Sequence, residues 1–150
     1  MRRLTDRFGY RGSWLIVLGA LWIVFGTAML SNPERPIPGA LHQYVPYEYR
    51  AVAWIVTGVV AIAFGLRRSP LDAWGHVALV VMPLVRVLGF GYSWLLSIGS
   101  ALVGATPPLG YPDAWYSALI WLFVTAAVRH VAGWPEPTLI PDPSDAETPQ

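Results

Sequence analysis

The sequence predicts an all-α protein: a four-helix transmembrane bundle with both termini in the cytoplasm and a long third helix kinked at Pro83. Three observations predict it. First, 55% of the 150 residues are hydrophobic and only 13% are charged, whereas a soluble domain carries about 25% charged residues. Mean hydropathy is +0.46. Second, Ser13–Leu30, Ala51–Leu66 and Ala114–Val128 carry no charge, and Ala73–Val103 carries one, Arg86. Third, the remaining arginines alternate between rich and poor connections, as the two faces of a membrane require.

A helix crosses the hydrocarbon core with about 20 apolar residues at roughly 1.5 Å each. Span one is placed at 13–30. Its arginine-led start resembles a signal peptide, but the apolar run is long and no A-x-A site follows it, so a retained signal-anchor is expected. Span two, 51–66, is slightly short and is completed by neighbours that snorkel. Span three, 73–103, exceeds one crossing and must tilt, kink or project. Pro83 removes a backbone donor and supplies the kink. The alternative is a pair of re-entrant helices broken near Pro83. Span four is placed at 114–134.

Arg2, Arg3, Arg7 and Arg11 precede span one, Arg67 and Arg68 join spans two and three, and Arg129 closes span four. The opposite connections hold only Arg35 and Arg50. The positive-inside rule then puts both termini in the cytoplasm, in a bacterial inner membrane crossed four times. The first outer connection is rich in proline and tyrosine and is expected to lie in the headgroup layer. The second, with Pro107, Pro108, Gly110 and Pro112, reads as a stiff turn. The tail, 135–150, alternates proline with acids and reads as a disordered, solvated segment. Trp14, Trp54, Trp74, Trp115 and Trp134 read as interfacial anchors, and Trp22, Trp94 and Trp121 as rings packed between helices.

Two sets of intramembrane residues stand out. Gly19 and Gly26 in span one and Gly58 and Gly65 in span two are each seven apart, on one face of each helix. Small faces let helices approach closely, so these predict packing against each other or against a neighbouring subunit. In span three, Arg86, Gly89, Ser93, Ser97, Ser100 and Gly104 fall on one narrow polar face. One reading is a close helix contact in which Arg86 bonds serine oxygens or carbonyls. The other is a wet cavity or pore with Arg86 as its charged group. A guanidinium at mid-bilayer costs about 2.5–3.5 kcal/mol on insertion scales, so either role needs compensation.

No catalytic, cofactor or metal residue is assigned. The chain has no cysteine, its three histidines are scattered, and no carboxylate lies in a span. P-loop, GxSxG and HExxH patterns are absent. A net charge of +1 with no basic face gives no case for nucleic-acid binding. The expected partners are the lipid bilayer and either a second copy, as a homo-oligomer, or another membrane protein.

The RGSWLIVLGALWIVFG start at Arg11–Gly26, the lysine-free arginine usage, the proline-rich connection after span one and the acidic proline tail resemble the small four-span membrane proteins of actinobacteria and actinobacteriophages. Some phage members sit with lysis genes. The resemblance therefore implies a holin-like or lysis-accessory protein and carries over no residue role. The residues leave two alternatives open: a channel or transport subunit with Arg86 in a polar cavity, and a membrane scaffold or partner subunit of a larger complex.

Overall fold

The computed structural model of the chain describes residues 2–32, 45–67, 72–105 and 110–134, with side chains from residue 8. All regular structure there is helical: α1 Arg2–Ser31, α2 Tyr47–Leu66, α3 Asp72–Leu102 and α4 Ala114–Ala132. All four are long and apolar enough to cross a membrane, α1 through its Phe8–Ser31 portion. Residues 33–44 of the connection after α1 and the acidic tail (135–150) lie outside the described residues.

Each boundary has a local cause. Gly9 adopts φ 73° and bends α1 between its arginine-rich start and its apolar body, a conformation open to glycine because it has no Cβ. The Ser13 hydroxyl donates to the Gly9 carbonyl at 2.7 Å and satisfies the bend. Pro46 occupies the N-cap of α2, so the helix starts at Tyr47 and takes in Arg50, which the sequence assigned to the connection. At the end of α3, Gly104 takes φ 65°. The Ala105 and Gly104 amides then donate to the Ser100 and Ala101 carbonyls, which is a Schellman closure. Gly104 thus terminates α3 rather than extending its packing face.

The third helix is a single 31-residue helix containing Pro83, not two re-entrant pieces. Pro83 is fully buried and fills space in the bundle.

α3 departs from the pattern of a water-soluble bundle. Beside Leu79, Met82, Pro83 and Phe90 its buried face holds Gly75, His76, Arg86, Gly89, Ser93, Ser97 and Ser100, while Val77, Leu88, Leu95 and Leu102 face outward. In water such an arrangement would forfeit the apolar driving force. In lipid, small and polar residues belong inside, because lipid chains solvate leucine as well as protein does. Hydroxyls bond within their own helices, as with Thr27 to Ile23 and Thr125 to Trp121.

α1 and α2 form a tight antiparallel pair with a repeat of seven residues. Gly12 lies against Gly65, Gly19 against Gly58, and Gly26 against Ala51. A Cβ on Gly19 would stand 2.6 Å from the Gly58 oxygen, and one on Gly58 would stand 2.5 Å from the Gly19 oxygen. α3 packs on α2 and α4, and α1 meets α4 only slightly. Leu15, Trp22, Trp54, Ala61, Leu79, Met82 and Val128 form the shared core.

Candidate functional site

The polar face of α3 divides into two parts with different surroundings. Its later half is roofed by the chain itself. Gly110 presses on the α3 backbone so closely that a Cβ there would collide with the Ser93 oxygen and stand 2.7 Å from the Ser97 nitrogen. The Tyr111 amide donates to the Ser93 hydroxyl at 3.2 Å. Ser97 and Ser100 hydroxyls donate to the Trp94 and Ser97 carbonyls. Ala114, the first residue of α4, is also buried. Ser93 and Ser97 therefore seat the lead-in to α4.

The earlier half centres on Arg86, which is 7% exposed. Its guanidinium carbon lies 5.8 Å from the Phe25 ring centroid, 6.0 Å from Trp54 and 5.8 Å from Trp121. Each of the other three helices thus supplies one ring. Its Nη2 donates to the Met29 sulfur at 3.8 Å. Among the described residues it is this sulfur, and not the serine oxygens or carbonyls of the helix-contact reading, that receives it. The rings brace one another, with Trp54 4.8 Å from Phe25, 5.2 Å from Trp22 and 5.4 Å from Trp121 between centroids. At the outer limit of cation–π distance each ring contributes about 0.5–1 kcal/mol. Three together are of the size of the insertion cost of one arginine.

Arg86 is central in α3 but not in the bundle. Phe25 lies six residues before the end of α1, or about 9 Å at the helical rise. The guanidinium is therefore nearer the end that carries the α1–α2 and α3–α4 connections. Arg50, in the first turn of α2 and four residues before Trp54, lies nearer still to that end, by about 6 Å at the helical rise. Both arginines line one cavity of about 240 Å³ between α2 and α3, along with Trp54, Met82, Gly89 and Phe90. Arg50 Nε and Nη1 are shielded and have no hydrogen-bond partner, nor has the Trp54 indole nitrogen.

Trp54 overturns its assignment as an interfacial anchor. It is 1% exposed, because the earlier start of α2 carries it two turns into the helix, on the face of Ala51, Gly58 and Ala61. Trp94, expected between helices, is 38% exposed.

At the opposite end, Arg11 and Asp72 form an ion pair at 3.1 Å. His76 Nδ1 lies 3.2 Å from the Asp72 carbonyl oxygen. A carbonyl only accepts, so Nδ1 carries the proton, and Nε2 is buried without a hydrogen-bond partner. Among the described residues no group of three or more His, Asp or Glu side chains comes together as a metal centre.

Gly19 and Gly58 are brought into contact, Arg86 and Gly89 line one cavity, and Ser93 and Ser97 lie under Gly110 and Tyr111. Gly26 and Gly65 do not meet each other but face Ala51 and Gly12. Gly12 and Ala51 were overlooked, though their seven-residue spacing from Gly19 and Gly58 was there to read. The cage rings of Phe25 and Trp121 left no such signal. No protein-family model, curated protein or solved structure matches this chain.

Proposed function

We propose that this is a non-enzymatic, multi-pass protein of a bacterial cytoplasmic membrane, with both termini on the cytoplasmic side, that works by associating its helices with those of a second copy or of another membrane protein. The observation that carries this is the open seam between α1 and α4. There Trp14, Leu21, Trp22, Trp121, Ala127 and Val131 bound a groove of about 390 Å³ lined by apolar side chains. α1 and α4 meet far less than α1 and α2, α2 and α3, or α3 and α4 do. Helix association in lipid rests on shape fit, and this is where the bundle leaves shape unfilled.

The chain lacks native cysteine, so single cysteines report cleanly. Oxidative crosslinking in membranes at Leu21→Cys and Ala127→Cys, with Val59→Cys as the outward-facing control, is the test. Dimer at the first two positions alone supports self-association through the seam. Equal crosslinking at all three, or none in any membrane, removes it.

The narrower form of this reading is a holin-like or lysis-accessory protein. It draws support from the serine row, which is covered by a short segment that has only to lift for the hydroxyls to meet water. Inducible expression with a membrane-potential dye is decisive: an undiminished potential at high expression eliminates the lytic form. A channel or transport subunit is favoured instead by the two arginines sharing a cavity. Arg86→Leu should then abolish conductance in liposomes while helix content is kept.

A further inference from the structure

We propose that the cavity between α2 and α3 binds the phosphate of an anionic phospholipid, held by Arg50 and Arg86, with an acyl chain along the apolar wall. This does not rest on the helix-association reading.

Arg50 and Arg86 are the charged residues of a cavity whose wall is otherwise almost wholly apolar. Two guanidiniums line it, one of them more than nine-tenths buried. The hydrogen-bond partner of Arg86 is a thioether sulfur, a weak acceptor. Two nitrogens of Arg50 and the indole nitrogen of Trp54 have none. The exposed Glu48, two residues before Arg50, attracts it through space but forms no ion pair with it; the ion pair found among the described residues is Arg11–Asp72, at the far end. Two like charges in one low-dielectric cavity repel each other and carry an unmet demand for an anion. Guanidinium forks match phosphate oxygens in geometry and charge.

The wall identifies the source of the phosphate. Ala53, Met82, Val85 and Phe90 are apolar, and the rim residues Val45, Tyr49 and Val85 are exposed. A hydrated free ion gains nothing from such a wall. A lipid entering from the bilayer places its headgroup at Arg50, in the first turn of α2, and its chain against the wall. There the guanidinium meets a lipid phosphate directly, charge to charge and fork to oxygen.

The full chain, purified in detergent, is titrated with phosphatidylglycerol, phosphatidylcholine of the same chains, and inorganic phosphate, with bound lipid read by native mass spectrometry. Phosphatidylglycerol should be retained at one per copy in preference to phosphatidylcholine. Arg50→Gln should weaken that retention about five- to tenfold, as the loss of one arginine contact predicts, with Arg50→Lys intermediate. Arg67→Gln, exposed at the other end, should leave it unchanged. Equal retention of the two lipids, or an Arg50→Gln protein indistinguishable from wild type, overturns the proposal. Inorganic phosphate that binds at millimolar concentration and displaces no lipid overturns the lipid source and assigns the arginines to a soluble oxyanion. Should Arg50→Gln not fold, the comparison of lipids on the wild-type chain decides alone.

Discussion

Gly19 and Gly58 meet backbone to backbone, each leaving less than a methyl's width in front of the other's carbonyl oxygen. Gly19→Ala and Gly58→Ala must each push α1 and α2 apart, at a cost of about 1–3 kcal/mol for overpacking. Gly91→Ala is the control, because nothing lies within 4 Å of a Cβ there. In that helix interior alanine is expected to gain about 0.5–1 kcal/mol. Thermal unfolding in detergent should show opposite signs for the two classes.

Arg86 has no carboxylate partner among the described residues, so removing its charge strands no opposite charge. Arg86→Met is therefore expected to be neutral or stabilising by about 1–3 kcal/mol, as with other buried charges replaced by apolar groups. Trp54→Leu leaves the guanidinium in place without one cage ring and opens the core, and should cost about 3–5 kcal/mol. If Arg86→Met unfolds the protein while Trp54→Leu does not, the cage is not what accommodates the cation.

Helix existence and approximate extent were legible in the sequence, because length and lack of charge alone decide whether a segment crosses lipid. The seven-residue spacing of small residues also carried the α1–α2 contact. The register between those helices was not legible. Matching Gly26 to Gly65 by sequence similarity aligns the helices in parallel, whereas a hairpin sets Gly26 against Ala51. The surroundings of Arg86 were hidden for a different reason. Its three rings come from three helices, and no periodicity within one segment reports the rotation of another.

The serine row should be inaccessible while Gly110 rests on α3. Ser97→Cys is expected to react slowly with a water-soluble thiol reagent and at least tenfold faster when combined with Gly110→Leu, whose side chain cannot fit beside the Ser93 carbonyl. Ser93→Ala, which removes the acceptor of the Tyr111 amide, should cost about 1 kcal/mol. Equal labelling rates with and without Gly110→Leu would show the row to be open already.

Orientation is measurable with the same chemistry. Arg67→Cys should label only from the cytoplasmic side and Asp113→Cys only from the opposite side of intact cells, as the arginine distribution requires. The reverse pattern refutes the assigned topology.

During synthesis the α1–α2 hairpin leaves the ribosome before α3. Its contacts, glycine on glycine, involve nothing downstream, so it is able to assemble in the bilayer first. Phe25 and Trp54 are then already in position when the arginine-bearing helix emerges, and only Trp121 arrives later. The chain order thus shortens the interval in which an uncompensated cation faces hydrocarbon, and a circular permutant that begins at α3 should insert less efficiently than the natural order.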